Sequence, residues 1–160
     1  MTKLNFIELK KTLEQNSLKV EEQKETNQLY AILSLQDKNY PTFFRIYEKQ
    51  QLLQILAFLP FEYKEETLLD LGRLLHLFNK ELDQPGFGLD EAGKVIFFRS
   101  MVPATNEIID DKILEAYLQA TKNACELFSP AIYAIASGSA TYDQLHARAQ
   151  EEMKKHSNRK

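Results

Sequence analysis

Gln28-Leu29-Tyr30-Ala31-Ile32-Leu33-Ser34-Leu35, a polar step Gln36-Asp37-Lys38-Asn39, then Thr42-Phe43-Phe44-Arg45-Ile46-Tyr47-Glu48: large side chains recur at every second residue on both sides of a short connection. That is the period of a β-strand and not of a helix. Two further runs carry it, Leu18 to Glu22 ahead of the turn Lys24-Glu25-Thr26-Asn27, and Gln51 to Leu59 behind. Connections this short allow only antiparallel pairing, because a parallel pair needs a crossover of about a dozen residues. The four runs predict a meander.

Both faces of that meander are apolar. Leu29, Ala31, Leu33 and Leu35 alternate with Tyr30, Ile32 and Ser34, and Phe43, Arg45 and Tyr47 alternate with Phe44, Ile46 and Glu48. In the fourth run Leu53, Ile55, Ala57 and Leu59 oppose Leu52, Gln54, Leu56 and Phe58. An antiparallel sheet with one solvated face shows a clean apolar and polar alternation. Its absence predicts that something covers part of the second face.

Helical periodicity flanks the strands. Leu4 to Gln15 places Phe6, Leu9 and Leu13 on one face and Leu4 and Ile7 on another, so this first helix has two apolar sides. After Pro60, which is expected to end the strand, Lys64 to Leu82 carries Leu68, Leu71, Leu74, Leu75, Phe78 and Leu82 on one broad stripe. A second stripe, Leu69, Gly72 and His76, lies off it, and a helical Gly, costing about 1 kcal/mol against Ala, predicts close approach by another backbone. Gln84-Pro85-Gly86 breaks that helix, and Phe87 to Arg99 reads as a hairpin with Asp90 opening the turn and Gly93 supplying a positive φ. A long helix is predicted from Glu107 to Phe128, a break at Ser129-Pro130, and a short helix from Ala131 to Ser137 stopped by Gly138. Thr141-Tyr142-Asp143-Gln144 has the form of a capping box and opens a last helix with Tyr142, Leu145, Ala149 and Met153 in a stripe. The end, Lys154 to Lys160, reads as a basic, frayed tail.

The 160 residues, 44% hydrophobic, with seven Tyr and ten Phe, suit one folded domain with a real core. Twenty Lys and Arg against 23 Asp and Glu leave a net charge of −3, which argues against a nucleic-acid binder. The aromatic group Phe43, Phe44 and Tyr47 has too few cations around it, Arg45, Lys49 and Lys38, to serve as a stacking platform for single strands. No apolar run approaches membrane-spanning length and the N-terminus has no secretory pattern, so a cytoplasmic protein without membrane contact is expected. Phosphate-loop, dinucleotide, zinc-protease and nucleophile-elbow motifs are all missing, so neither an enzyme nor a cofactor is expected. His76, His146 and His156 are too scattered for a metal site, and Cys125 reads as a small buried hydrophobe. Asp90-Glu91 and Asp110-Asp111 are accounted for by a turn and a helix N-terminus.

From about Tyr30 to Ile135 the chain resembles the YbjN-type family and, at the level of fold, the class I chaperones of bacterial type III secretion. The residues that carry this are Tyr47 to Ile55 leading to Pro60, Leu75-His76-Leu77-Phe78-Asn79-Lys80-Glu81-Leu82, Gly86-Phe87-Gly88-Leu89-Asp90-Glu91-Ala92-Gly93-Lys94-Val95, and the helix ending Ser129-Pro130-Ala131-Ile132. The resemblance implies an α+β domain that dimerises and binds proteins without chemistry. In secretion chaperones, apolar patches on the first helix and the sheet hold an extended segment of the secreted protein, often as an added strand. The corresponding apolar positions here are Leu4, Ile7, Phe43, Phe44, Leu56 and Phe58, with Leu69, Gly72 and His76 as the expected homodimer surface.

The fold expected is secretion-chaperone-like α+β, with an N-terminal helix, antiparallel β-meander, central helix, β-hairpin, long C-terminal helix and an extra terminal helix. One domain is expected over 1–138, followed by a helix and basic tail over 139–160. The function expected first is a non-enzymatic chaperone of a secreted, type III effector-like partner. A YbjN-type regulatory or adaptor domain acting through cytosolic protein partners is the alternative.

Overall fold

In the computed structural model, which describes residues 1–82 and 86–157, a short strand β1 (Thr2–Lys3) leads into helix α1 (Phe6–Gln15). Four strands follow without a crossover: β2 (Val20–Gln23), β3 (Gln28–Leu35), β4 (Lys38–Tyr47) and β5 (Leu52–Glu62). Helix α2 (Leu68–Glu81), the hairpin β6 (Gly86–Asp90) and β7 (Val95–Pro103), the short β8 (Ile108–Ile109), and helices α3 (Asp111–Ala136) and α4 (Tyr142–Ser157) complete the chain. The main sheet has the order β2-β3-β4-β5-β7-β6 with every pair antiparallel, and β1 pairs separately with β8. The predicted α+β order is therefore present, with β1 and β8 added.

One face of the sheet makes the core. Leu29, Ala31, Leu33, Phe44, Leu53, Ile55, Ala57, Ile96, Phe98 and Val102 are buried there against Leu9 and Leu13 of α1, Leu71, Leu74 and Leu75 of α2, and Leu114, Leu118, Cys125 and Ile132 of α3. The whole predicted stripe of α2 packs on this core. Buried polar groups within it are paired: the Tyr40 hydroxyl donates to Ser129 Oγ at 3.1 Å, and Ser100 and Thr121 hydroxyls lie 3.2 Å apart. Burial raises the Tyr40 pKa, and the Ser129 bond opposes that shift in part.

Helix ends follow local chemistry. Asn5 Oδ1 accepts from the Glu8 N–H at 3.0 Å and caps α1, and Asp110 Oδ1 accepts from the Lys112 and Ile113 N–H groups and caps α3. Gly138, at φ +76°, closes α3. The capping box of α4 is reciprocal: Thr141 N–H donates to Gln144 Oε1 at 3.0 Å and Gln144 N–H to Thr141 Oγ1 at 3.3 Å. Helix α4 sits on α2, where Arg73 bonds Asp143 at 3.1 Å and lies 4.0 Å from the centre of the Tyr142 ring.

Several expectations are corrected. Pro60 does not end β5; the strand continues to Glu62 through a register shift between Phe58 and Glu62, where a residue without an N–H is tolerated. Pro130 does not break α3, which runs 26 residues through it. The lost hydrogen bond and ring clash, worth about 3 kcal/mol in a helix interior, are outweighed by Cys125, Ser129, Ile132, Ile135 and Ala136, buried on both sides of it. Residues 107–109, predicted as the start of that helix, instead belong to a tight turn and β8, with Thr105 and Ile108 exchanging backbone hydrogen bonds. In the β6–β7 turn the positive φ falls on Lys94 at 52° and not on Gly93, while Asp90 accepts from the Ala92 and Gly93 N–H groups. No backbone approaches Gly72 within the chain: an added Cβ there meets nothing within 4 Å. The predicted break at Gln84-Pro85 and the end of the basic tail, residues 158–160, lie outside the described residues, whereas Lys154 and Lys155 continue α4.

Both edges of the main sheet carry features that disfavour a further strand. At β6, the Asn79 side chain donates from Nδ2 to the Phe87 carbonyl at 2.7 Å and accepts from the Phe87 N–H at 2.7 Å, so one amide from α2 takes the place of a neighbouring strand. At the other edge β2 is four residues long and carries Glu21 and Glu22. Replacing Asn79 with Ala leaves two backbone groups of Phe87 without these partners; a loss of about 1–3 kcal/mol of unfolding free energy is expected in urea titration, and an unchanged midpoint would show the clamp to be dispensable.

Candidate functional site: the open face of the sheet

The register that buries one set of side chains presents the alternate set on the opposite face. Tyr30 pairs with Phe43, Phe43 with Leu56, and Leu56 with Arg99, forming one row across four strands. In the next row Arg45 pairs with Gln54 and Gln54 with Met101; on the other side Phe58 pairs with Phe97, and Phe97 with Gly88. The rings form a continuous diagonal: Tyr30 to Phe43 at 5.1 Å between centroids, Phe43 to Phe58 at 5.7 Å, and Phe58 to Phe97 at 6.1 Å. These separations are those of favourable tilted and edge-on aromatic pairs. Phe97 lies down on Gly88, where a Cβ would come within 2.7 Å of its ring.

Helices α1, α2 and α3 pack on the other face, and Tyr30, Phe43, Phe58 and Phe97 do not belong to the core they build. The second face predicted to be covered thus has no helix of the described residues upon it. It is a partly exposed layer of rings stapled to the strands.

The sequence-derived contact residues divide. Phe43, Leu56 and Phe58 come together on the open face, where Phe43 and Phe58 are half-buried and Leu56, between its strand neighbours Phe43 and Arg99, is buried. Phe44 points the opposite way and is wholly buried, and Leu4 precedes α1 and is buried beside it, so both belong to the core and leave the candidate surface. Ile7 is 81% exposed but lies on α1, apart from this face. The second apolar side of α1 therefore reduces to Ile7. On α2, Leu69 is 77% exposed and His76 is exposed, with Gly72 between them.

Sequence reasoning missed Tyr30, Phe97, Arg45 and Arg99 as members of one site. Their signal was the doubled apolar alternation of β3, β4 and β7; what it lacked was the strand order that places β7 beside β5.

Reactive groups lie elsewhere and are structurally engaged. Cys125 is buried in α3 and desolvation pushes its thiol up to about 12. Asp111 bonds the Met1 amino group and accepts from Thr2 Oγ1 at 2.7 Å; those bonds, the amino group first, hold its carboxyl below the usual range. His146 stacks on Tyr142 at 5.7 Å. Among the described residues no group of three His, Cys, Asp or Glu side chains comes together to hold a metal ion, and no helix is long and apolar enough to cross a membrane.

A comparison with family models matches residues 7–134 to YbjN, described as "Putative bacterial sensory transduction regulator". The match runs from α1 to near the end of α3, takes in the entire six-stranded sheet, and leaves α4 outside. No curated protein matches the chain.

Two outcomes are expected. Phe44→Ala, which empties a fully buried ring position, lowers stability by about 3–5 kcal/mol, whereas Phe43→Ser, one residue away, costs about 0.5–1.5 kcal/mol for each ring pair it joins; equal losses in chemical denaturation would show that the open face is part of the core. Cys125, with its raised pKa, stays unmodified by a thiol-alkylating reagent at pH 8 in the folded protein and reacts in urea; fast native labelling would contradict its burial.

Proposed function

The chain belongs to the YbjN family, and from that premise we propose that it is a cytosolic, non-catalytic regulatory domain that works by docking a protein partner on the open face of its sheet. The observation that carries this is the aromatic diagonal from Tyr30 to Phe97, built outside the core on a face that no helix of the described residues covers. Partner docking gives those rings a role that folding leaves open, and a regulator has no need of reaction chemistry.

The export-chaperone expectation is the less favoured reading. The family description is that of a regulator, and holding a secreted segment as an added strand requires a free edge. Here Asn79 occupies one edge and the other is short and acidic.

Self-association belongs to a separate surface in this proposal: the exposed stripe Leu69, Gly72 and His76 on α2, with the open face left for the partner. Gly72 suits a test because a Cβ added there meets no atom outside its own helical turn within 4 Å among the described residues. Gly72→Glu is expected to fold normally and sediment as a monomer; an unchanged mass removes the stripe as an interface.

The docking proposal is tested by affinity purification from the native host with the native chain and with Phe43→Ser/Phe58→Ser. A signalling or transcription-linked protein retained by the native chain and lost from the double variant is the expected result. Retention by both, or recovery of a secreted protein's N-terminal region as the dominant partner, would overturn it.

A further inference from the structure

We infer that the open face takes an amphipathic helix of a protein partner, one whose apolar stripe is flanked by carboxylates. This rests on the docking role proposed above and specifies the chemistry of what docks.

Two guanidinium groups flank the aromatic diagonal. Arg45 on β4 lies opposite Gln54 and Arg99 on β7 lies opposite Leu56, and both are exposed. Among the described residues neither forms an ion pair; those present involve Met1, Lys10, Lys19, Arg73, Lys80 and Lys94. Carboxylates of the same face, Glu21, Glu62 and Asp90, stand at its periphery, on β2 and at the far ends of β5 and β6. Among the described residues the aromatic diagonal is therefore bordered by two cations, with the carboxylates of this face farther out.

Arg45 is also held in place. Its Nε donates to Gln28 Oε1 at 2.6 Å, and Gln28 Nε2 donates in turn to Gln23 Oε1 at 2.8 Å. Gln28 is itself buried, so this relay is anchored in the sheet. It engages one N–H of the guanidinium and leaves the paired Nη groups for a planar acceptor, and a carboxylate is the acceptor that matches such a fork.

Other occupants fit less well. A second copy laid face to face offers Arg45 and Arg99 only the peripheral carboxylates Glu21, Glu62 and Asp90 of the same face. Nucleic acid needs a broad basic field, and two arginines on a chain of net charge −3 do not make one. An added strand meets the Asn79 clamp or the acidic β2 edge. A helix needs only a face, and the opposite side of the same sheet already takes α3 through Leu114, Leu118, Thr121 and Cys125.

The test uses two synthetic helices of about five turns with the same leucine stripe, one flanked by Glu and the other by Lys, titrated into the full chain by fluorescence anisotropy and amide chemical shifts. The Glu helix is expected to bind roughly tenfold tighter or more, a difference equivalent to about 1.4 kcal/mol, with shifts at Phe43, Leu56, Phe58 and Arg99. Arg45→Glu/Arg99→Glu reverses the preference, and Phe43→Ser/Phe58→Ser removes both bindings. Equal binding of the two helices, or shifts confined to α2 and α4, overturns the inference. A dimer that Phe43→Ser/Phe58→Ser converts to monomer also overturns it and makes a second copy the occupant. If the sign preference fails while the host partner is still lost from the aromatic variant, the charge inference falls and the docking role stands; if the host partner survives that variant, the docking role itself falls.

Discussion

A six-stranded sheet has two faces, and this chain supplies three helices to one of them only. Everything else follows from that imbalance. The covered face gathers the large aliphatic side chains and the buried Tyr40 to Ser129 bond, and so holds most of the apolar area that drives folding. On the uncovered face the chain places rings that shelter one another, which limits their exposure to water without sealing them from a partner. The family match spans this sheet and its three helices, so the one-sided architecture lies within the matched region, and α4 is outside it.

The strands were legible because a period of two survives in each, and the central helix because its six large residues share one stripe. The capping box at Thr141 was legible for the same reason, since its chemistry is local and completes itself within three residues. The reading failed where distant contacts decide the outcome. Pro130 looks like a helix break until Ser129 is found bonded to Tyr40, 89 positions away. Pro60 looks like a strand end until β7 is found to pair on beyond it. Phe43 and Phe44 were equivalent apolar candidates in the sequence; only pairing with Leu56 and Ile55 respectively tells which points into the core.

In one segment that carried the resemblance, Leu77-Phe78-Asn79 followed by Gly86-Phe87-Gly88-Leu89-Asp90, five of the eight positions have a structural explanation. Phe78 and Phe87 pack on each other and on Phe128, Asn79 grips the Phe87 backbone, Gly88 makes room for Phe97, and Asp90 folds the turn. A motif of this kind signals how the last strand is fastened and the sheet is terminated. It carries no statement about catalysis.

The alternation along β4 and β5 also has an evolutionary consequence. Residues of the core and residues of the helix-free face are interleaved one by one, Phe44 with Phe43 and Arg45, and Ile55 with Gln54 and Leu56, although Gln54 and Leu56 are themselves buried on that second face. Under the docking proposal, a mutation at Phe44 acts on folding while one at Phe43 or Arg45, its immediate neighbours, acts on what the protein meets. Partner choice can then change by substitution at exposed or half-buried positions of one face while the buried alternate set keeps the scaffold, so that specificity and foldedness come under separate selection although they share the same strands.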